Sequence, residues 1–239
     1  DSLYNFPYHH LPQNENDNII KPFRIHYWLY DYIFLINFLI KKINEYKIEN
    51  ILDFGCGDGR LLRELKINSK NNLLGYEISE LASNLFRSFN PEIKLINKFD
   101  ELKNFSKKID LIVFSEVIEH IPDDKIRENI DLIYNLLKKD GILIVTAPHE
   151  NNPVHKKHYR HYNSETLLKN FDRSMFTLVE KKYLFKSSII KTLCRKFLFN
   201  RFFIINSNII LKIYYLLNNA LFFGNEKNFD NLFMVFKKK

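Results

Sequence analysis

The stretch Ile51-Leu52-Asp53-Phe54-Gly55-Cys56-Gly57-Asp58-Gly59-Arg60-Leu61-Leu62 runs from a short apolar segment into a glycine-dense turn and out again at helical spacing. Asn50 to Phe54 has the length and composition of a buried strand, and Leu61, Leu62 and Leu65 restart with helical three- and four-residue steps. Gly55, Gly57 and Gly59 permit backbone torsions and close approaches that a Cβ would block. The first amides of the following helix have no partner inside it, so the turn presents donors to whatever lies over it. Strand, turn and helix together read as a cofactor cradle.

A dinucleotide fingerprint asks for a third glycine where Arg60 stands, so that pattern fails. What stands instead is Asp-x-Gly-x-Gly-x-Gly. The next apolar run, Leu73-Leu74-Gly75-Tyr76, ends at Glu77, an acid placed at a strand end to accept from two ribose hydroxyls.

With three further blocks the chain resembles the class I S-adenosylmethionine-dependent methyltransferases, in the small single-domain branch of ubiquinone-pathway and polysaccharide-cluster O-methyltransferases. The blocks are Gly75 to Ser79, Ile109 to Pro122 (with Ser115-Glu116-Val117-Ile118-Glu119-His120 inside it) and Leu137 to Pro148. The resemblance covers 48–171 well and the remainder loosely. It implies an α/β fold with a Rossmann-like, mostly parallel sheet, an antiparallel closing strand and helices on both faces. It implies S-adenosylmethionine as cofactor and S-adenosylhomocysteine as product. Asp53 with the loop of Gly55, Cys56, Gly57 and Gly59 would place the cofactor's amino-acid end, Glu77 its ribose, Asp100, or Asn97 and Phe99 beside it, its adenine, and Ser115 and Glu116 its methionine moiety, with Ile78 a further cofactor-binding residue.

The periodicity predicts a helix from Phe23 to about Tyr46, then strands ending at Phe54, Tyr76, Ile96 and Phe114, with helices over 59–66 and 80–89 between the first three. Alternation of this kind makes a parallel sheet covered on both faces. Asp123-Asp124 opens a helix that Gly141 should end, a strand covers 142–145, and a short helix runs from Asn163 or Ser164 to Leu168. The segments 176–185 and 232–236 should close the sheet as an antiparallel pair. Residues 1–47 read as an aromatic N-terminal segment and cap helix, and 48–239 as the methyltransferase domain with a basic, aromatic insertion at about 186–228.

At 239 residues and 46% hydrophobic, the chain has material for one full core. Cys56 and Cys194 make neither a metal pattern nor a disulfide framework, which points to a reducing, cytoplasmic compartment. The formal charge of +8 is concentrated between Glu180 and Glu226, where eight Lys and Arg residues meet no acid. That stretch offers a homodimer face or a contact with the inner surface of a membrane, and its longest uncharged run, 213–225, is too short to cross one. No recognisable RNA module accompanies the basic residues, so no nucleic acid is expected.

Four histidines are candidate general bases: His120, His149, His158 and His161. Lys156, Lys157 and Arg160 in the same loop suit an anionic acceptor, phosphate-bearing or a nucleotide-sugar, with Lys156 and Arg160 as binding residues. Glu116, Glu119 and His120 also repeat a Glu-x-x-Glu-His arrangement that binds a divalent metal in small-RNA 2′-O-methyltransferases. The aromatic-acidic segment following the last histidine of those enzymes is absent near Tyr162, so no metal is expected. The sequence thus predicts methylation of oxygen on a small or glycan-linked acceptor in cell-surface polysaccharide synthesis. A metal-assisted RNA 2′-O-methyltransferase, an N-methyltransferase and a non-catalytic binding subunit of the same fold are the alternatives.

Overall fold

The computed structural model describes residues 8–14, 19–21, 26–68, 70–202 and 205–239. The aromatic stretch from Tyr4 to Pro7, the polar residues Glu15 to Asn18 and the expected helix start at Phe23 lie outside these residues. In chain order the elements are β1 (Gln13–Asn14), β2 (Ile20–Lys21), α1 (Tyr27–Ile43), β3 (Asn50–Phe54), α2 (Arg60–Asn68), β4 (Asn72–Tyr76), α3 (Glu80–Phe89), β5 (Lys94–Ile96), α4 (Phe99–Leu102), β6 (Ile109–Ser115), α5 (Asp123–Leu136), β7 (Leu137–Pro148), α6 (Ser164–Leu168), β8 (Phe176–Leu184), α7 (Ile189–Leu198), α8 (Asn208–Ala220) and β9 (Asn231–Lys238). Apart from the small β1–β2 pair, the strands form one sheet ordered β5-β4-β3-β6-β7-β9-β8. Pairing is parallel from β5 through β7, and β9 lies antiparallel between β7 and β8.

The central strands are apolar on both sides because both faces are covered. Ile51, Leu111, Val113 and Ile144 point into one apolar cluster with α1, α2 and the insertion helices. Their neighbours Leu52, Ile112, Phe114, Leu143 and Val145 point into the other, with α5. The starts of α3 and α6 follow from their caps. Ser79 Oγ accepts from Ala82 N at 3.3 Å, and Asn163 and Thr166 form a reciprocal capping box.

The boundary between α5 and β7 differs from expectation. α5 stops at Leu136 rather than Gly141, and β7 begins at Leu137. Leu137 pairs with Ile109 while Ile142 pairs with Leu111, so the intervening residues form an irregularity in which Asp140 takes φ +63°. Gly141 is required there for space: a Cβ would lie 2.9 Å from the Lys138 carbonyl oxygen.

The insertion contributes α7 and α8, which pack on α1 through Tyr30, whose ring lies 4.8 Å from Tyr214 and 5.8 Å from Phe199. Two of its cations are internal. Lys191, only 3% exposed, lies 3.4 Å from Asp31 of α1, and Arg195 pairs with the same carboxylate. Burial pushes the Lys191 ammonium below the usual lysine range. No helix among the described residues is long and apolar enough to cross a membrane.

Removing Asp31 strands two cations, Lys191 and Arg195, whereas replacing Lys191 by an apolar residue leaves Asp31 paired with Arg195. Asp31→Ala should therefore lower the unfolding free energy by about 3 kcal/mol or more, and Lys191→Met by far less, as read from urea denaturation.

Candidate active site

The strand order reverses between β3 and β6, which opens a crevice at their carboxyl ends. The glycine turn lines it. Gly55, Gly57 and Gly59 all adopt positive φ, at +86°, +56° and +82°. Side chains would also collide: a Cβ on Gly55 would lie 2.5 Å from Val117 Cγ2, and one on Gly59 2.5 Å from the Phe86 ring. The turn is tied to the end of β4 by Gly55 N and Cys56 N, which both donate to Tyr76 O at 2.8 and 3.0 Å. Glu77 then clamps it, accepting from Gly57 N at 2.9 Å with Oε2 and from Ser79 N at 2.7 Å with Oε1.

This corner of a basic protein is acidic. Burial, reinforced by the Glu77 charge, pushes the Asp53 carboxyl up to about 7. Burial also raises Glu77, against the opposing pull of the amides of Ser79, Gly57 and Ile78. The Cys56 thiol is raised well above its ordinary range by burial and by the same carboxylates, so it is no thiolate at neutral pH. Raised carboxyl values mark a pocket that favours a cationic or hydroxyl-bearing ligand. Ile78 holds an apolar side chain 75% exposed beside Glu77. Asp100, expected near the adenine, directs its carboxylate to solvent in α4 and pairs with Lys103 at 2.7 Å.

The N-terminal residues close on the turn, as a lid over it would. Asp58, fully buried between two of the glycines, lies 3.1 Å from His9 Nδ1, and Arg60 donates to the carbonyls of His9 and Pro12 at 3.1 and 3.3 Å. His10 stacks on Phe89 with ring centroids 4.0 Å apart. The part played by Asp58 was visible in the sequence only as a residue between glycines.

Across the crevice, Glu116 takes φ +56°, a conformation that costs a non-glycine residue of order 1–3 kcal/mol and persists only where neighbours enforce it. Here they do. Thr146 Oγ1 donates to Glu116 Oε1 at 2.7 Å, Asn231 Nδ2 donates to the same oxygen at 2.9 Å, and Ser115 Oγ lies 2.7 Å from Thr146 Oγ1. Asn231 carries no local sequence signal, since it arrives from β9.

The histidines separate by role. Neutral His161 must donate from Nδ1 to Asn152 O at 3.0 Å, because a carbonyl only accepts, so its Nε2 accepts from His158 Nδ1 at 2.8 Å. Both nitrogens of His161 are thereby used, and His158 is left with a lone pair on Nε2. His120 Nδ1 likewise bonds Lys157 O at 3.0 Å, which leaves its Nε2 lone pair uncommitted. Burial holds both His120 and His158 below the usual imidazole range, His158 at about 4 with help from its imidazole neighbours. His149 is buried against Phe229 at 3.9 Å, and its Nδ1 accepts from Asn151 N, which ties it into the loop.

Arg160, expected to bind the acceptor, is engaged within the protein. Its guanidinium donates to Ile121 O at 2.7 Å and Tyr162 Oη at 3.3 Å, and pairs with Asp123 at 2.9 Å, clamping the turn after β6. Lys156 and Lys157 remain exposed in the loop. Beneath the loop lies Glu119, 1% exposed, with Oε2 unbonded and its carboxyl pushed well up by burial and by Glu116. Single ligand atoms of Glu119, His120 and His158 lie within 4.8 Å of one another, a set able to hold either a proton or a cation.

The profile of a family described as "Methyltransferase domain" matches residues 24–182. A ubiquinone biosynthesis O-methyltransferase of Hydrogenovibrio crunogenus is 30% identical over 90 residues, 35% of this chain, and the match spans about 37% of that relative's length. A SAM-dependent methyltransferase from Archaeoglobus fulgidus superposes with a TM-score of 0.59 at 17% identity, over 90% of this chain and all of that one. The N-methyltransferase NodS from Bradyrhizobium japonicum, solved with S-adenosyl-L-homocysteine, gives 0.54 at 17% identity over 82% of this chain and 81% of its own.

Gly59→Ala combines a left-handed backbone with contact on Phe86 and Asn90. It should cost about 2–4 kcal/mol of stability, read as a lowered melting temperature.

Proposed function

The chain belongs to the methyltransferase-domain family and is an S-adenosylmethionine-dependent methyltransferase, and from that premise we propose that it methylates a hydroxyl of a small or glycan-linked, anionic acceptor in cell-surface polysaccharide synthesis. The observation that carries oxygen as the target is the pair of neutral imidazoles, His120 and His158, with uncommitted Nε2 lone pairs beside the crevice. A hydroxyl must lose its proton during transfer, so it calls for such a base more than an amine does. The O-methyltransferase among the relatives supports the same choice. An anionic acceptor is supported by exposed Lys156 and Lys157 in the loop over these histidines, and the polysaccharide setting by the resemblance of the four sequence blocks.

The cradle fits the cofactor. Glu77 offers carboxylate lone pairs to a diol, and Asp53 supplies a carboxyl whose raised value a nearby cation would lower. When bound, S-adenosylmethionine supplies an electrophilic methyl group. The protein's own contribution is alignment and proton removal. Ser115, Thr146 and Glu116 fix the floor of the crevice, His161 orients His158, and Lys157 O orients His120.

One observation favours a second reading, assistance by a divalent cation: Glu119 Oε2 is buried without a partner, among ligand atoms of His120 and His158. A carboxylate and two neutral imidazoles held by outer hydrogen bonds suit a borderline divalent ion.

Glu77→Ala removes the acceptor for two amides as well as for the diol. It should weaken S-adenosylmethionine binding by about 10- to 100-fold, and Gly57→Val should weaken it at least as much. Calorimetry checks both, and unchanged affinity would refute the cradle.

The pH dependence identifies the base. His158 stays neutral until about 4, so with it as base kcat/KM should hold steady through pH 6.5 and fall only toward that value. His158→Ala should then cut kcat by about 10²-fold or more, with no effect of chelators. Loss of activity with a chelator, restored by a divalent ion, would select the metal reading.

A further inference from the structure

α7 and α8 are apolar on two sides. Their inner faces, Lys191 and Leu198 on one and Leu211, Tyr214 and Asn218 on the other, are buried against α1 and its neighbours. Their outer faces are apolar as well. On α7, Ile189 is 81% exposed and Leu193 and Phe197 about 60%; on α8, Ile209 is 74% and Ile213 62%. Phe202, between the two helices, is 80% exposed. Helices that are hydrophobic all round are normally covered on both sides, and a contiguous apolar patch marks an interaction surface.

The charge on this face selects the occupant. No acidic residue occurs from 181 to 225, and Lys196, Arg201 and Lys212 are exposed among the apolar side chains. Tyr27 and Trp28, 47% and 42% exposed, stand at the rim, where Arg195 covers the Tyr27 ring at 5.1 Å. A symmetric dimer through this face would bring like charges of the two copies together. Neither helix, at 10 and 13 residues, can span a bilayer. Aliphatic and aromatic residues interspersed with lysine and arginine, on helices too short to cross, match the interfacial plane of an anionic membrane.

We propose that the outer faces of α7 and α8 dock this protein onto anionic lipid bilayers, with Ile189, Phe197, Phe202 and Ile213 entering the headgroup boundary and Lys196, Arg201 and Lys212 engaging lipid phosphates. The surface is distinct from the acceptor loop, and nothing in it depends on which hydroxyl is methylated. It is continuous through Trp28 with the N-terminal residues, since the Trp28 ring meets that of His9, which in turn faces Asp58 of the glycine turn.

The test is cosedimentation of the full chain with vesicles of phosphatidylcholine and phosphatidylglycerol in equal parts, against vesicles of phosphatidylcholine alone. Binding to the mixed vesicles should exceed binding to the neutral ones and weaken with salt. The triple variant Lys196→Ala, Arg201→Ala, Lys212→Ala should lose on the order of 100-fold in affinity, and Phe197→Ser with Ile213→Ser should lose binding too. All substituted side chains point outward, so melting temperature and S-adenosylmethionine affinity should be unchanged. Equal binding to both compositions, or none to either, overturns the proposal. So does a dimer in light scattering that Phe197→Ser dissociates while vesicles remain unbound, because that would assign the face to a second copy.

Discussion

The carboxylate of Glu77 holds the site together. It takes one amide from the glycine turn after β3 and another from the start of α3, so the ends of two adjacent parallel strands share one acceptor. That arrangement works only if the turn can approach closely, which sets the need for glycine beneath Val117 and Phe86. It also keeps a charge in a place water would otherwise solvate, and the raised Glu77 and Asp53 carboxyls record the cost. The cradle is thus shaped for a ligand that offers donors or positive charge.

Much of this frame could be read in the sequence because its determinants are local. α3 begins at Glu80 and α6 at Ser164 as expected, each set by a capping residue one position before its start. The strands follow from apolar runs bounded by turn residues. Where the sequence misled, a distant partner decided. The end of α5 is taken by pairing with β6, which draws Leu137 into a strand despite its helical spacing. Lys191 and Arg195 read as surface cations, yet their counter-ion Asp31 comes from α1, 164 residues away from Arg195.

The acceptor loop shows the same division. Its composition identified a cluster of bases and cations, but not their division of labour. Arg160 looks like an anion reader in sequence and acts as a clamp because Ile121 O, Tyr162 and Asp123 surround it. His161 orients and His158 is oriented, a difference set by which carbonyl each can reach. Residue type narrows the chemistry, and hydrogen-bond geometry assigns it.

The position of β9 has a consequence for how this protein folds. It follows every other element of the sheet in the chain, yet it lies inside the sheet, paired to β7 on one side and β8 on the other, and it delivers Asn231 to Glu116. The parallel strands can associate as they emerge, but the crevice cannot take its final form until this late strand has threaded between two earlier ones. Such long-range closure is slow, and until it occurs β7 presents an unpaired, apolar edge to other chains. During synthesis, the nascent protein therefore passes through a stage in which its substrate pocket is unfinished and its exposed edge is prone to aggregation.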